Sequence, residues 1–182
     1  NPDPYYYLGI CLFSIDNYKE AISKFTNSLL LGIERDDIYY YLGSSYFNTG
    51  NEMRALDALK RALIINSNNW EAYFLLGIIY ENILETEKSI NNYIKAKENS
   101  NQNDMVNYRL GMLYYRTDKL KLAMEPLREF VIMNPDSINV LKALGHVFID
   151  QERYTEAIDT YTRLLNRLPS NINYLEAIAL SY

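Results

Sequence analysis

Apolar residues along the chain recur at i, i+3 or i+4 and i+7, the spacing that puts them on one face of a helix. The stripes come in pairs. One surrounds a Leu-Gly dipeptide, and the next surrounds a small residue, mostly alanine, and a large apolar residue that follows it by four. Polar breaks with turn and cap chemistry separate the two: Asp16-Asn17, Thr49-Gly50-Asn51, Glu85-Thr86, Thr117-Asp118 and Asp150-Gln151. Between pairs lie Asn66-Ser67-Asn68-Asn69, Asn99-Ser100-Asn101-Gln102-Asn103, Asn134-Pro135-Asp136-Ser137 and Pro169-Ser170-Asn171. Side-chain oxygens of Asn, Ser and Asp suit helix N-termini, where they accept from backbone N–H groups that have no partner within the helix. The pattern predicts helix, turn, helix, turn throughout.

The pairs keep a fixed period. Gly9, Gly43, Gly77, Gly111 and Gly145 stand 34 residues apart, and Ala179 takes the next place. Leu8, Leu42, Leu76, Leu110, Leu144 and Ile178 precede them, and Leu12, Tyr46, Tyr80, Tyr114, Phe148 and Tyr182 follow three later. Ala21, Ala55, Ser89, Ala123 and Ala157 come twelve after the glycine; Phe25, Leu59, Tyr93, Leu127 and Tyr161 come sixteen after it. Repeats therefore run 2–35, 36–69, 70–103, 104–137 and 138–171, with a partial sixth over 172–182. A helical glycine costs about 1 kcal/mol relative to alanine, so one at the same register in five repeats needs compensation. A close approach of the paired helices, with no side chain between the backbones and the alanine serving the same contact, would supply it. Neither helix can bury its stripe alone, so neighbours must stack.

These residues resemble the tetratricopeptide repeat: a leading aromatic, Leu-Gly, Tyr, Ala, Phe or Tyr, Ala and Pro at fixed offsets in 34 residues. The resemblance covers residues 2–182. It implies an all-α fold, an α-solenoid of antiparallel helix pairs in a right-handed superhelix, with residues 1–182 as a single array. Departures are local. The leading aromatic is Tyr5, Tyr39 and Tyr73 but Asn107, Leu141 and Leu175 later. The late alanine is Ala62 and Ala96, but Ser28, Phe130 and Leu164 elsewhere, and the closing proline survives as Pro135 and Pro169. Pro126 falls inside a second helix, where it removes one hydrogen bond and is expected to kink the fourth repeat.

Composition narrows the function. Of 182 residues, 48% are hydrophobic and 23% charged, ordinary for a folded chain. A net charge of −5 with pI near 5.0 argues against nucleic acid as partner. No run reaches the roughly 18 apolar residues of a membrane span, so direct membrane insertion is not expected. Asn1-Pro2-Asp3-Pro4 shows neither Met nor a basic leader, which suggests an excised fragment and leaves localisation open. The apolar Leu175, Ile178 and Leu180 lack the polar face of a capping repeat and point to a longer parent. The single Cys11 excludes an intrachain disulfide and a multi-cysteine metal site. The 18 tyrosines need an explanation.

The resemblance implies a protein–protein interaction scaffold whose first helices line a concave groove. With Leu-Gly buried, groove positions are one and two before the Leu, and one, four and five after the Gly. These are Tyr6, Tyr7, Ile10, Phe13 and Ser14; then Tyr40, Tyr41, Ser44, Phe47 and Asn48. Repeat three gives Phe74, Leu75, Ile78, Glu81 and Asn82; repeat four gives Tyr108, Arg109, Met112, Tyr115 and Arg116. Repeat five adds Lys142, Ala143, His146, Ile149 and Asp150. An aromatic groove would grip apolar side chains of a protein or peptide, because Tyr offers large rigid area at low entropy cost. The alternative is that adjacent first helices pack and bury these rings. Charge is uneven: residues 1–91 hold twelve acids and seven bases, residues 92–182 eleven of each. Arg109 and Arg116, seven apart on one face, would anchor an acidic end of the partner.

The chaperone-tail clamp fails at its required positions, which hold Tyr6, Ile10, Tyr41, Glu71 and Leu75, or Tyr40, Ser44, Leu75, Met105 and Arg109. An Hsp70/Hsp90 C-terminal tail is therefore not the expected partner. The asparagine ladder of the sugar-transferase members is also missing, since Tyr7, Tyr41, Leu75, Arg109 and Ala143 stand in its place. Catalysis has no constellation: His146, the only histidine, has no acid or nucleophile at helical spacing, and Cys11 is expected to be an inert core thiol. Neither metal nor cofactor is expected, and no Gly-rich phosphate loop occurs. The leading expectation is a peptide- or partner-binding scaffold for complex assembly. A structural spacer with self-association, or the regulatory arm of an enzyme lying outside these residues, stands beside it.

Overall fold

The computed structural model describes residues 3–100, 103–167, 169 and 172–180. Eleven helices make up the described structure: α1 (Pro4–Ser14), α2 (Tyr18–Leu30), α3 (Asp36–Asn48), α4 (Glu52–Ile65), α5 (Trp70–Asn82), α6 (Thr86–Asn99), α7 (Asp104–Arg116), α8 (Leu120–Met133), α9 (Ile138–Asp150), α10 (Tyr154–Arg167) and α11 (Ile172–Leu180). No strand occurs among the described residues. The fold is all-α and built from helix pairs, as the periodicity predicts. It divides into two compact units, Asn1–Asn101 with α1 to α6 and Gln102–Tyr182 with α7 to α11. Of the sequence positions discussed above, Asn1, Pro2, Asn101, Gln102, Ser170, Asn171, Tyr182 and the side chain of Leu180 lie outside the described residues.

Each pair closes through the same turn. Asp16, Gly50, Leu84, Asp118 and Glu152, 34 residues apart, all have positive φ, between 57° and 77°. The next N–H donates five residues back: Asn17 to the Leu12 carbonyl, Asn51 to Tyr46, Glu85 to Tyr80, Lys119 to Tyr114 and Arg153 to Phe148, at 2.8–2.9 Å. A left-handed residue followed by this bond is the usual way a helix satisfies its last carbonyls. Only one of the five positions is glycine.

The register glycines have a packing cause that differs in detail from the expected one. A Cβ at Gly9 would lie 2.6 Å from the Phe25 ring, at Gly77 2.5 Å from Tyr93, and at Gly145 2.6 Å from Tyr161. At Gly43 and Gly111 it would meet Leu59 at 2.8 Å and Leu127 at 2.6 Å. The space beside each glycine is therefore filled by the large residue sixteen positions later, rather than left for bare backbone contact. The small residue at the twelve-later position does lie against the glycine's backbone: Ser89 Oγ donates to the Gly77 carbonyl at 2.8 Å.

The Asn-rich links do two jobs. Asn51, Asn69 and Asn103 cap α4, α5 and α7, Asn69 Oδ1 accepting from Ala72 N–H at 2.8 Å. Others tie the end of a repeat to its own start. Asn66 and Asn69 donate to Asp36 Oδ2 at 2.8 and 3.1 Å, Asn134 donates to Asp104 Oδ2 at 3.2 Å, and Ser28 donates to Asp3. Burial works against the Asp36 carboxylate, but these bonds and its helix N–H groups outweigh it and hold its pKa below the ordinary value. Pro126 sits buried within α8 and does not end it.

Candidate partner-binding surface

In the first unit α3 touches both α1 and α5, so the expected groove positions of three first helices share one side. Tyr7 is 55% exposed and lies edge-on to Tyr6 at 5.2 Å. Three other rings form a chain: Phe13 is edge-on to Tyr41 at 5.1 Å, and Tyr41 is tilted against Tyr40 at 5.3 Å. Ile10, Phe47, Phe74 and Ile78 are half-buried beside them. Burial, with the Glu71 carboxylate adding to it, raises the Tyr40 hydroxyl above its ordinary pKa.

Several expected groove residues turn out to be packing residues. Tyr6 is buried: its hydroxyl donates to Asp37 Oδ2 at 2.7 Å, and the Arg35 guanidinium lies 4.5 Å over its ring. Burial and that hydrogen bond push the Tyr6 hydroxyl up to about 12. Its ring thus pins α1 to the start of α3. Leu75 and Ser44 are also buried, as is Ala143 in the second unit. Tyr41 keeps part of its surface but stacks flat on Phe25 of the preceding repeat, centroids 5.7 Å apart. Phe74 leans on Tyr93 at 5.7 Å. Cys11, expected in the core, is exposed, because two residues beyond the buried Gly9 is about 200° around the helix.

In the second unit, α7 and α9 touch and bring Tyr115 edge-on to the exposed His146, centroids 5.7 Å apart. Tyr108 leans on Phe130 at 5.1 Å, and Met112 is half-buried. Arg116 is exposed and its Nε donates to the Met112 carbonyl at 3.4 Å; Arg109 is half-buried, and both arginines already have partners. No group of three or more potential metal-ligating side chains occurs among the described residues, and no described helix is long and apolar enough to cross a membrane.

The groove positions of the first helices leave out one cavity. A crevice of about 570 Å³ opens between α3 and α4, bordered by Tyr39, Tyr46, Arg54 and Arg61. Residues 39, 42 and 46 lie across the helix from 40, 44 and 47 at 100° per residue, so the crevice and the ring chain occupy opposite faces of α3. The clue in the sequence was the basic cluster Arg54, Lys60 and Arg61 in an acidic half.

Comparison with known proteins agrees with this architecture. Residues 37–64 and 140–171 each match a sequence profile of the tetratricopeptide repeat. Over 71 residues the chain is 31% identical to the transcription factor tau 131 kDa subunit of Saccharomyces cerevisiae, covering 39% of the chain and 7% of that protein. Among solved structures, MamA from AMB-1 superposes with a TM-score of 0.77 at 20% identity, covering 92% of this chain and 91% of that one. YrrB, described as a TPR protein with an unusual peptide-binding site, does so with a TM-score of 0.77 at 18% identity over 97% and 91%. At such identities the likeness is one of fold. Glycine register, helix pairing and the profile matches over 37–64 and 140–171 agree: the chain carries tetratricopeptide repeats.

Proposed function

We propose that the chain is a protein-interaction scaffold whose repeats form one array, and that its first helices take a peptide or partner segment during complex assembly. The observation that carries this reading is the chain of half-exposed rings from Phe13 through Tyr41 to Tyr40, with Tyr7 exposed at the register of Tyr41 one repeat earlier. Aromatic area left wet at one register of successive helices is costly for a plain rod and useful for gripping apolar side chains. The peptide-binding site named for YrrB, a protein of the same fold, supports the choice of ligand class. An acidic end on the partner would sit toward Arg109 and Arg116, joining the contacts these arginines already make. The reading assigns the chain a binding role and no chemistry of its own.

Selection of a displayed random peptide library on the full chain tests the proposal. Peptides rich in Leu, Phe or Trp should be enriched, and Tyr7→Ala together with Phe47→Ala should weaken them at least tenfold without lowering the melting midpoint by more than a few degrees. Failure to enrich any apolar motif, or binding indifferent to both variants, would refute it. The stacking of Tyr41 on Phe25 favours a second reading, a spacer whose rings serve repeat packing; that reading gains if both variants bind normally and melt much lower.

A further inference from the structure

We propose that the α3–α4 crevice is a second docking site, separate from the ring chain, and that it takes an acidic segment of a partner protein carrying an aromatic or aliphatic residue between carboxylates. Three cations border it, Arg54, Lys60 and Arg61, against the single carboxylate of Asp57. Neither Lys60 nor Arg61 has a carboxylate partner among the described residues. Arg54 lies over the Tyr46 ring at 5.6 Å, which holds its charge at the crevice rather than in bulk water. This positive edge belongs to an otherwise acidic unit, with thirteen acids and nine bases over residues 1–101. The apolar part is equally available: Ile64 at the rim is 74% exposed, and Tyr39 is half-buried. A guanidinium fork binds a carboxylate through two parallel hydrogen bonds, so Arg61 and Arg54 can each hold one acid while an apolar residue lies between them on Tyr39 and Ile64.

The repeat supplies its own control. A crevice at the same register, three repeats on, opens in the second unit with about 350 Å³, bordered by Leu144, Phe148, Asp159 and Arg163 in place of Leu42, Tyr46, Asp57 and Arg61. There Glu156 stands where Arg54 does, Thr162 where Lys60 does, and Asn166 where Ile64 does. Its arginine is also engaged, donating to the Pro135 carbonyl at 2.7 Å, and Glu156 is paired with Arg153. The same register thus occurs once with three cations against one carboxylate, and once with two arginines, Arg128 and Arg163, against two carboxylates, Glu156 and Asp159. The second-unit crevice also has an exposed isoleucine, Ile132 from α8, so what is particular to the second repeat is the excess of positive charge.

Fluorescence anisotropy with a labelled peptide Glu-Glu-Phe-Glu-Glu, its twin Gln-Gln-Phe-Gln-Gln and the full chain tests the assignment. The acidic peptide should bind at 50 mM salt and weaken several-fold at 300 mM, while the glutamine twin should bind at least tenfold more weakly. Arg61→Glu alone, and Arg54→Glu, Lys60→Thr and Ile64→Asn combined, should each weaken it at least tenfold with an unchanged helical spectrum; all four side chains are exposed, so the fold should tolerate them. Arg163→Glu and Tyr7→Ala should leave it unchanged, which separates this site from both the matched crevice and the ring chain. No binding of the acidic peptide, equal binding of the twin, indifference to the crevice variants, or full displacement by an equimolar single-stranded oligonucleotide would each overturn the proposal.

Discussion

Replacing Gly77 by alanine puts one methyl group where the ring of Tyr93 already lies. The new Cβ would stand 2.5 Å from Cδ1 and Cε1 of that ring and 3.0 Å from Cζ. Carbon atoms in contact prefer about 3.5–4.0 Å, so ring and helix must separate by about 1 Å. The ring has nowhere to go. Tyr93 is fully buried, its hydroxyl donates to Glu81 Oε2 at 2.8 Å, and Ser89 ties the same two helices at the Gly77 carbonyl. Two effects oppose each other. Alanine gains about 1 kcal/mol over glycine in a helix interior, while overpacking a tight core costs about 1–3 kcal/mol. With a pinned ring the upper end applies, so Gly77→Ala should lose about 2 kcal/mol. The same change at Gly43 meets Leu59 at Cγ, 2.8 Å, and at Cδ2, 3.0 Å, with the Ala55 carbonyl at 3.3 Å; the overlap is smaller than at Gly77, so its net cost should be about 1 kcal/mol or less. Urea denaturation followed by circular dichroism reads both. Adding Tyr93→Leu, the side-chain type of repeats two and four, should recover at least about 1 kcal/mol of the Gly77→Ala loss as a coupling energy. If Gly77→Ala is as stable as the parent, or if the pair is additive, the ring does not hold the register glycine in place.

Leu84 has φ +62° and is 86% exposed, so Leu84→Gly should stabilise by about 1 kcal/mol, the cost of a left-handed conformation for a side-chain-bearing residue; a lower urea midpoint would contradict it. The Tyr6 hydroxyl, raised from 10.0 to about 12, favours folding fully below pH 10, and its contribution is lost as pH rises from 10 toward 12. Absorbance at 295 nm should therefore show a tyrosine titrating near 12 in the folded chain that disappears in Tyr6→Phe. Cys11, being exposed, should react with a thiol reagent in the folded chain at a rate within a few-fold of that in urea; protection by orders of magnitude would mean that it is covered.

The parts of the fold that were legible in the sequence are those set within one repeat. Leu-Gly, the alanine twelve later and the large residue sixteen later lie in a single hairpin, so their spacing alone predicts their contact. Local chemistry was less legible where the backbone overrides residue preference. Gly50 advertises a left-handed turn, but Asp16, Leu84, Asp118 and Glu152 adopt the same conformation without being glycine, because the turn is imposed by the two packed helices. Burial at the candidate groove positions was not legible in the repeat pattern. Tyr41 and Tyr7 occupy adjacent repeats at one register, yet Phe25 from the preceding second helix covers one and leaves the other open. The burial of Tyr6 was not legible because its partners, Arg35 at the close of its own repeat and Asp37 at the start of the next, carry no periodic signal. The α3–α4 crevice went unread because it depends on second-helix charges, which differ from repeat to repeat where the glycine register does not.

The recurring left-handed turn bears on how the chain reaches its folded state. Each closing hydrogen bond spans five residues, and each glycine meets a side chain sixteen positions ahead. The ties from Asn66 to Asp36 and from Asn134 to Asp104 reach thirty. A hairpin can therefore form as soon as its own segment is available, without waiting for distant sequence, which places the chain among fast folders of low contact order. During synthesis α1 and α2 can close on each other while later repeats are still being made, leaving at the growing end one apolar face that the next hairpin covers.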